Sequence, residues 1–252
     1  MLKYPISTLL YLVKINIKDK IQDALKLHNN IDVKLTVTVK DKDGKIIKVH
    51  KQRSHSFVSN FLAILASELA CSYAQNISNT TFGYFFRITS GSYAQYNPAF
   101  YSTNEIFALN DSANDSTYGI VVGTGTTPPT PNDYNLENQI VNGTGNGQLI
   151  YGHHIISPAP VSNGSSDIYI TTSAPTSGLL PVSGNTTSWK ISRTFTNNSG
   201  ASITVSEVGL MNYIILSPNS YNALLTHDLL SSPITIPNGG VMSVTYTISV
   251  ST

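Results

Sequence analysis

Few residues in this chain could do chemistry, and their spacing limits what each could do. His227 precedes Asp228, a base beside an acid. A hydrolytic triad also needs a third group and a strained elbow to present its nucleophile, and no Gly-x-Ser-x-Gly occurs. His153 and His154 are adjacent, so in a strand they point to opposite faces and do not readily share one ion. No Cys or Glu stands near them at ligand spacing. The stretch from Asn110 to Asp115 bears carboxylates, as calcium loops do, but lacks the alternating acids, central glycine and distal glutamate of an EF-hand. A solvated loop is the expected reading. GTGTTP, residues 123–128, opens like a dinucleotide loop, yet Pro128 stands where the third glycine belongs, and no helical periodicity follows. No carboxylate pair marks a glycosidase. The expectation is a non-enzymatic protein with no catalytic residues, cofactor or metal.

Charge narrows the field further. Charged residues are 12 % of the 252, about half the share usual in a soluble domain. Residues 1–53 hold 12 of the 15 Lys and Arg against 5 acids, a surplus of 12 − 5 = +7. The remainder holds 3 against 9, or 3 − 9 = −6. The basic end is nearly all lysine, with few arginines or aromatics interleaved, so nucleic acid is a disfavoured partner. The single Cys71 forms no internal disulfide and sits in an apolar-periodic run, where a small buried hydrophobe is expected. No export signal stands out, and no apolar run reaches the length of a membrane span. Eight Asn-x-Ser/Thr sequons permit glycosylation without establishing it.

These residues must be positioned by elements of two kinds. Leu9, Val13, Ile17, Ile21 and Leu25 recur every four positions, which predicts a helix near 7–28 whose stripe is a candidate assembly face. Val33, Leu35, Val37 and Val39 alternate with polar residues, then Asp41 to Gly44 supplies a turn and Ile46 starts a return strand. Ser54 or Ser56 is the expected cap of a second helix carrying Phe57, Phe61, Ile64, Leu65 and Leu69. From about residue 80, short β-like runs alternate with Gly, Pro, Asn and Ser clusters. The fold class expected is α+β, mainly β. A basic helix–hairpin–helix head would cover 1–78, and an antiparallel β-sandwich or jelly-roll-like body 79–252.

Several segments of the chain resemble virion structural and tail-associated proteins of phages and archaeal viruses. They are GIVVGTGTTPPTPNDYNL at 119–136, SEVGL at 206–210, LLTHDLLSSPITI at 224–236 and GGVMSVTYTI at 239–248. KDKDGK at 40–45, followed by SHSFVSNF at 54–61, resembles the opening of the same proteins. The stretch 138–190 carries no such likeness. The resemblance implies a capsid, vertex, tail or fibre component located in the virion. Its partners would be copies of itself and other particle proteins, with a host-surface glycan as a further candidate. It transfers no catalytic residues. Richness in Ile, Asn, Thr and Tyr points toward an archaeal virus. The competing reading is a secreted or cell-surface carbohydrate-binding module, for which Tyr93, Tyr96, Phe100 and Tyr101 could line a groove as readily as an interface.

One expectation is sharp enough to locate two side chains. If Asn197 to Gly200 forms a tight hairpin turn, the strands before and after it pair, and Arg193 falls diagonally across from Glu207. Two opposite charges on an otherwise apolar face should then form a structural ion pair.

Overall fold

The computed structural model describes residues 31–54, 56–74, 85–95, 109, 112–157, 182–183, 186–216 and 219–251. Strands β1 (Ile31–Lys40) and β2 (Ile46–Arg53) form the expected hairpin, closed by Asp41, whose Oδ1 accepts the amides of Asp43 and Lys45. Helix α1 (Ser59–Ala74) follows, then the short strands β3 (Phe85–Arg87) and β4 (Tyr93–Gln95). The remaining strands are β5 (Gly119–Gly123), β6 (Ile150–Ser157), β7 (Val182–Ser183), β8 (Thr186–Thr196), β9 (Ile203–Leu216), β10 (Asn219–Ile236) and β11 (Val241–Ser251).

All pairings between named strands are antiparallel, and the structure is mainly β, as the alternating runs predict. The larger sheet runs β2-β1-β11-β8-β6, with β7 beside β8, and a three-stranded sheet runs β10-β9-β5. One apolar core joins them, because strand alternation turns one side of each sheet toward the other. Val33, Leu35, Val37 and Val39 enter it from β1, and Met242, Val244 and Tyr246 from β11. Ile191 and Phe195 enter it from β8, while Val205, Val208 and Leu210 come from β9. A second core gathers Ile64 of α1, Phe86 of β3, Ile214 of β9 and Ala223 and Leu225 of β10. Asn60 fastens this corner: its amide donates to the Arg87 and Leu224 carbonyls, and its oxygen accepts the Arg87 amide.

Three expectations change. The hairpin does not belong to a separate head. β1 pairs with β11 from Ile31↔Val250 to Lys40↔Val241, so residues expected in two domains share one sheet and one core. The reason is local: alternation gives β1 an apolar face, and beside β11 that face enters the shared core.

Ser54 and Ser56 do not cap α1, which begins at Ser59. Residues 56–58 instead run beside β10, with the His227 amide donating to the Ser56 carbonyl and the Val58 amide donating to that of Leu225.

The third change concerns β8 and β9, which are not a hairpin. β8 pairs with β11 and β6, β9 pairs with β10 and β5, and the chain crosses between sheets at 197–202. Gly200 adopts the expected left-handed conformation (φ 86°). Asn197 overrides the hairpin by reaching across to the β10–β11 turn. Its amide donates to the carbonyls of Ala201 and Ile236, its backbone N–H donates to Gly240, and its carbonyl accepts the Gly239 amide. Arg193 and Glu207 therefore sit in opposite sheets.

The stripe Leu9, Val13, Ile17, Ile21 and Leu25 lies outside the described residues, as do Tyr96, Phe100 and Tyr101. No described helix is long and apolar enough to cross a membrane.

Candidate functional site

The segment 124–138 leaves β5 with its backbone stiffened by Pro128, Pro129 and Pro131, then folds back over β9. Leu136 is buried against Gly209, where a Cβ would come 2.9 Å from the leucine and 3.0 Å from Leu224. That close approach accounts for the glycine in SEVGL.

Glu207 holds the two ends of the segment. Its carboxylate accepts the amides of Gly125 (2.9 Å), Glu137 (2.9 Å) and Asn138 (2.8 Å). Its remaining bond comes from His227 Nε2 at 2.9 Å, and His227 Nδ1 lies 2.7 Å from Asp133 Oδ2. Asp133 is set by a tight turn in which the amide and hydroxyl of Thr130 both donate to it. An imidazole thus stands between two carboxylates. Burial works against charge on Glu207, but His227 and the amides of Asn138, Glu137 and Gly125 outweigh it and hold the carboxyl below its ordinary range. Burial likewise opposes charge on Asp133, and Thr130 with His227 reverses that too. For His227, burial favours the neutral ring, yet Glu207 and Asp133 prevail and push its pKa up. The imidazolium form satisfies both partners, since each ring nitrogen then carries a proton to donate.

The neighbouring residue faces the other way, as strand alternation requires. Asp228 looks into the sandwich, where Ser54 Oγ (2.7 Å) and the Tyr246 hydroxyl (2.8 Å) donate to its carboxylate. Burial pushes the Asp228 carboxyl up, against these two donors, and burial with the nearby Asp228 pushes the Tyr246 hydroxyl up. His227 and Asp228 are therefore not a catalytic dyad. They belong to separate polar networks on opposite faces of β10.

Arg193 forms a third network. It donates to the carbonyls of Gly152, Tyr118, Ile120, Ser112 and Asp115, and its guanidinium lies 4.7 Å from the centre of the Tyr151 ring. The expected ion pair with Glu207 does not form, because each charge is satisfied within its own neighbourhood. Ser112 and Asp115 belong to the acidic stretch weighed above as a calcium loop, and their carbonyls are spent on this arginine. His153 and His154 point apart on β6. His153 Nδ1 accepts the Ala113 amide, and His154 Nε2 accepts the Ile120 amide. Gly119 makes room for His154, since a Cβ there would lie 2.1 Å from its ring.

The three segments 119–136, 206–210 and 224–236 thus meet at one place. Gly123, Gly125, Asp133 and Leu136 come from the first segment, Glu207 and Gly209 from the second, His227 from the third. The GTG glycines have a steric cause: a Cβ on Gly123 or Gly125 would stand 2.3 Å or 2.6 Å from Glu207 Oε1. Sequence reasoning set His227 beside Asp228 but missed that Asp133, Glu207 and His227 converge. No family model matches the chain, and no curated protein or solved structure matches it.

Proposed function

We propose that this protein is a non-enzymatic structural component of a virus particle, acting through contacts with copies of itself and with other particle proteins. The reading rests on the resemblance of three segments to virion proteins, and it is supported by their meeting in a single clasp, Asp133–His227–Glu207, which braces a surface segment against the small sheet. The polar residues of the clasp are spent on each other and on backbone amides, as a bracing role requires and a catalytic role does not.

A second feature favours assembly. β2 is the edge strand of the larger sheet among the described residues and exposes Ile46, Ile47 and Val49. Apolar side chains on a strand edge favour pairing with another chain, and the intervening Lys48 and Lys51 restrain indiscriminate pairing. The location in the virion and the roles of capsid, vertex, tail or fibre belong to this proposal.

Two measurements test it. Particles purified from the source culture should contain this chain at stoichiometric abundance by mass spectrometry. The purified full-length protein should form defined oligomers by light scattering and negative-stain microscopy. A chain absent from the particles, or a monodisperse monomer at all concentrations, would overturn the reading.

A further inference from the structure

Beside the clasp, the same braced segment walls an open groove of about 550 Å³. Its floor and sides include Arg87, Asn132, Asp133, Tyr134, Asn135 and Glu137. Arg87 lies 4.0 Å over the Tyr134 ring and 6.0 Å from that of Tyr93, its cross-strand partner, which is 68 % exposed. Two donors of this guanidinium are committed, Nε to the Gly91 carbonyl and Nη1 to that of Asn132. Its Nη2 has no partner among the described residues, nor do the amide of Asn132 and the hydroxyl of Tyr134. Asn135 donates to Thr89, which leaves its side-chain oxygen open.

We propose that this groove binds a neutral glycan. A sugar presents hydroxyls that both donate and accept, and planar forks such as guanidinium, amide and carboxylate engage adjacent hydroxyls in pairs. The guanidinium of Arg87 and the amides of Asn132 and Asn135 face this groove with open atoms. Its carboxylates are engaged, Asp133 by Thr130 and His227 and Glu137 by Thr126 and Thr127. Its charges balance against other ligand classes: a polyanion meets Asp133 and Glu137, and a cation meets Arg87. An apolar ligand would leave the forks unsatisfied, which costs affinity at every unpaired group. Outside the groove lining, the exposed ring of Tyr93 stands 6.0 Å from the Arg87 guanidinium and offers an apolar face to the C–H side of a pyranose that extends past the groove. The groove is also pre-shaped, because the clasp fixes Asp133 from below and Arg87 is held by backbone carbonyls on two sides, so binding need not order the site. This assignment stands apart from the assembly reading, since a glycan groove would work on a particle or on a free protein.

The test is saturation-transfer NMR of the full-length protein with maltotriose, mannotriose and chitobiose as neutral probes and sialyllactose as the anionic one. Saturation transfer to at least one neutral probe is expected. Its affinity should fall by about tenfold or more in Arg87→Gln and in Asn132→Ala, as loss of a hydrogen bond in such a site requires. Asn132 is exposed and its side chain bonds nothing described, so the Asn132→Ala variant should keep the thermal midpoint of the parent and decides the matter even if Arg87→Gln misfolds. No transfer to any neutral probe, transfer confined to sialyllactose, or undiminished affinity in Asn132→Ala would each overturn the proposal.

Discussion

Gly123 and Glu207 are fitted to each other so closely that a single methyl group at residue 123 would stand 2.3 Å from the buried carboxylate. The Asn138 carbonyl would lie 2.6 Å from the same methyl on its other side. Because one of those neighbours is backbone, no side-chain rotation relieves the clash. Gly123→Ala should therefore displace Glu207 from its amides and destabilise the protein by about 1–3 kcal/mol, as overpacking of a filled site does. Thermal unfolding monitored by circular dichroism measures the loss, and an unchanged midpoint would refute the fit.

The clasp predicts how stability varies with pH. His227 has its folded pKa raised, so its contribution is complete below its unfolded value near 6.5 and is lost as pH rises through the folded one. Asp133 and Glu207 have theirs lowered from 3.8 and 4.5, so their contributions hold above those values and disappear as pH falls through the lowered ones. Asp228 works oppositely at the acid end, since its raised pKa makes the folded state favour protonation. The clean reporter is the alkaline limb. Urea midpoints of the parent should decline above about pH 6.5. In His227→Gln that decline should be absent, whatever the overall stability of the variant.

Arg193 is 1 % exposed and supplies donors to the carbonyls named above. Arg193→Gln leaves most of them unpaired in the interior, and breaking such a network costs about 3–5 kcal/mol. Arg193→Lys should recover little, because one ammonium cannot reproduce the spread of a planar fork. Denaturant titration of the two variants distinguishes this from a role of charge alone, in which lysine would rescue.

The fragment 79–252 should not fold alone. It lacks β1, whose Val33, Leu35, Val37 and Val39 are all buried in the shared core. At about 1.5–3 kcal/mol for each buried side chain, their loss rivals the whole stability of a domain, about 5–15 kcal/mol. The fragment should lack near-ultraviolet circular dichroism and bind a hydrophobic dye. A fragment that unfolds cooperatively would restore the two-domain division.

Much of the local structure was legible in the residues. Alternation marked β1, Asp41 to Gly44 marked the hairpin, and the apolar stripe of Phe61 and Ile64 marked α1. Pairing between β1 and β11 was not legible, because no local pattern names a strand's distant neighbour. The misplacement of Glu207 has a more specific cause. Both inner faces of a sandwich are apolar, so the alternation of β8 and β9 reads the same whether they adjoin in one sheet or face each other across the core. Gly200 fits either arrangement, and the deciding bonds come from Asn197 to residues far away in the chain. The clasp was hidden for a related reason, since Asp133, Glu207 and His227 lie on three separate segments and only the fold makes them neighbours.

The partnership of β1 with β11 also sets a timetable. Roughly 200 residues are added between these strands, which at about 5–20 residues per second takes about 10–40 s. Throughout that interval the β1–β2 hairpin has its apolar face made while β11, the neighbour beside which that face is buried, does not yet exist. The large sheet closes late and over a long loop, the arrangement that folds slowest and aggregates most readily. A nascent chain of this protein is therefore a natural client for chaperones at the ribosome, and faster translation or a depleted chaperone pool should lower its yield before it lowers its stability.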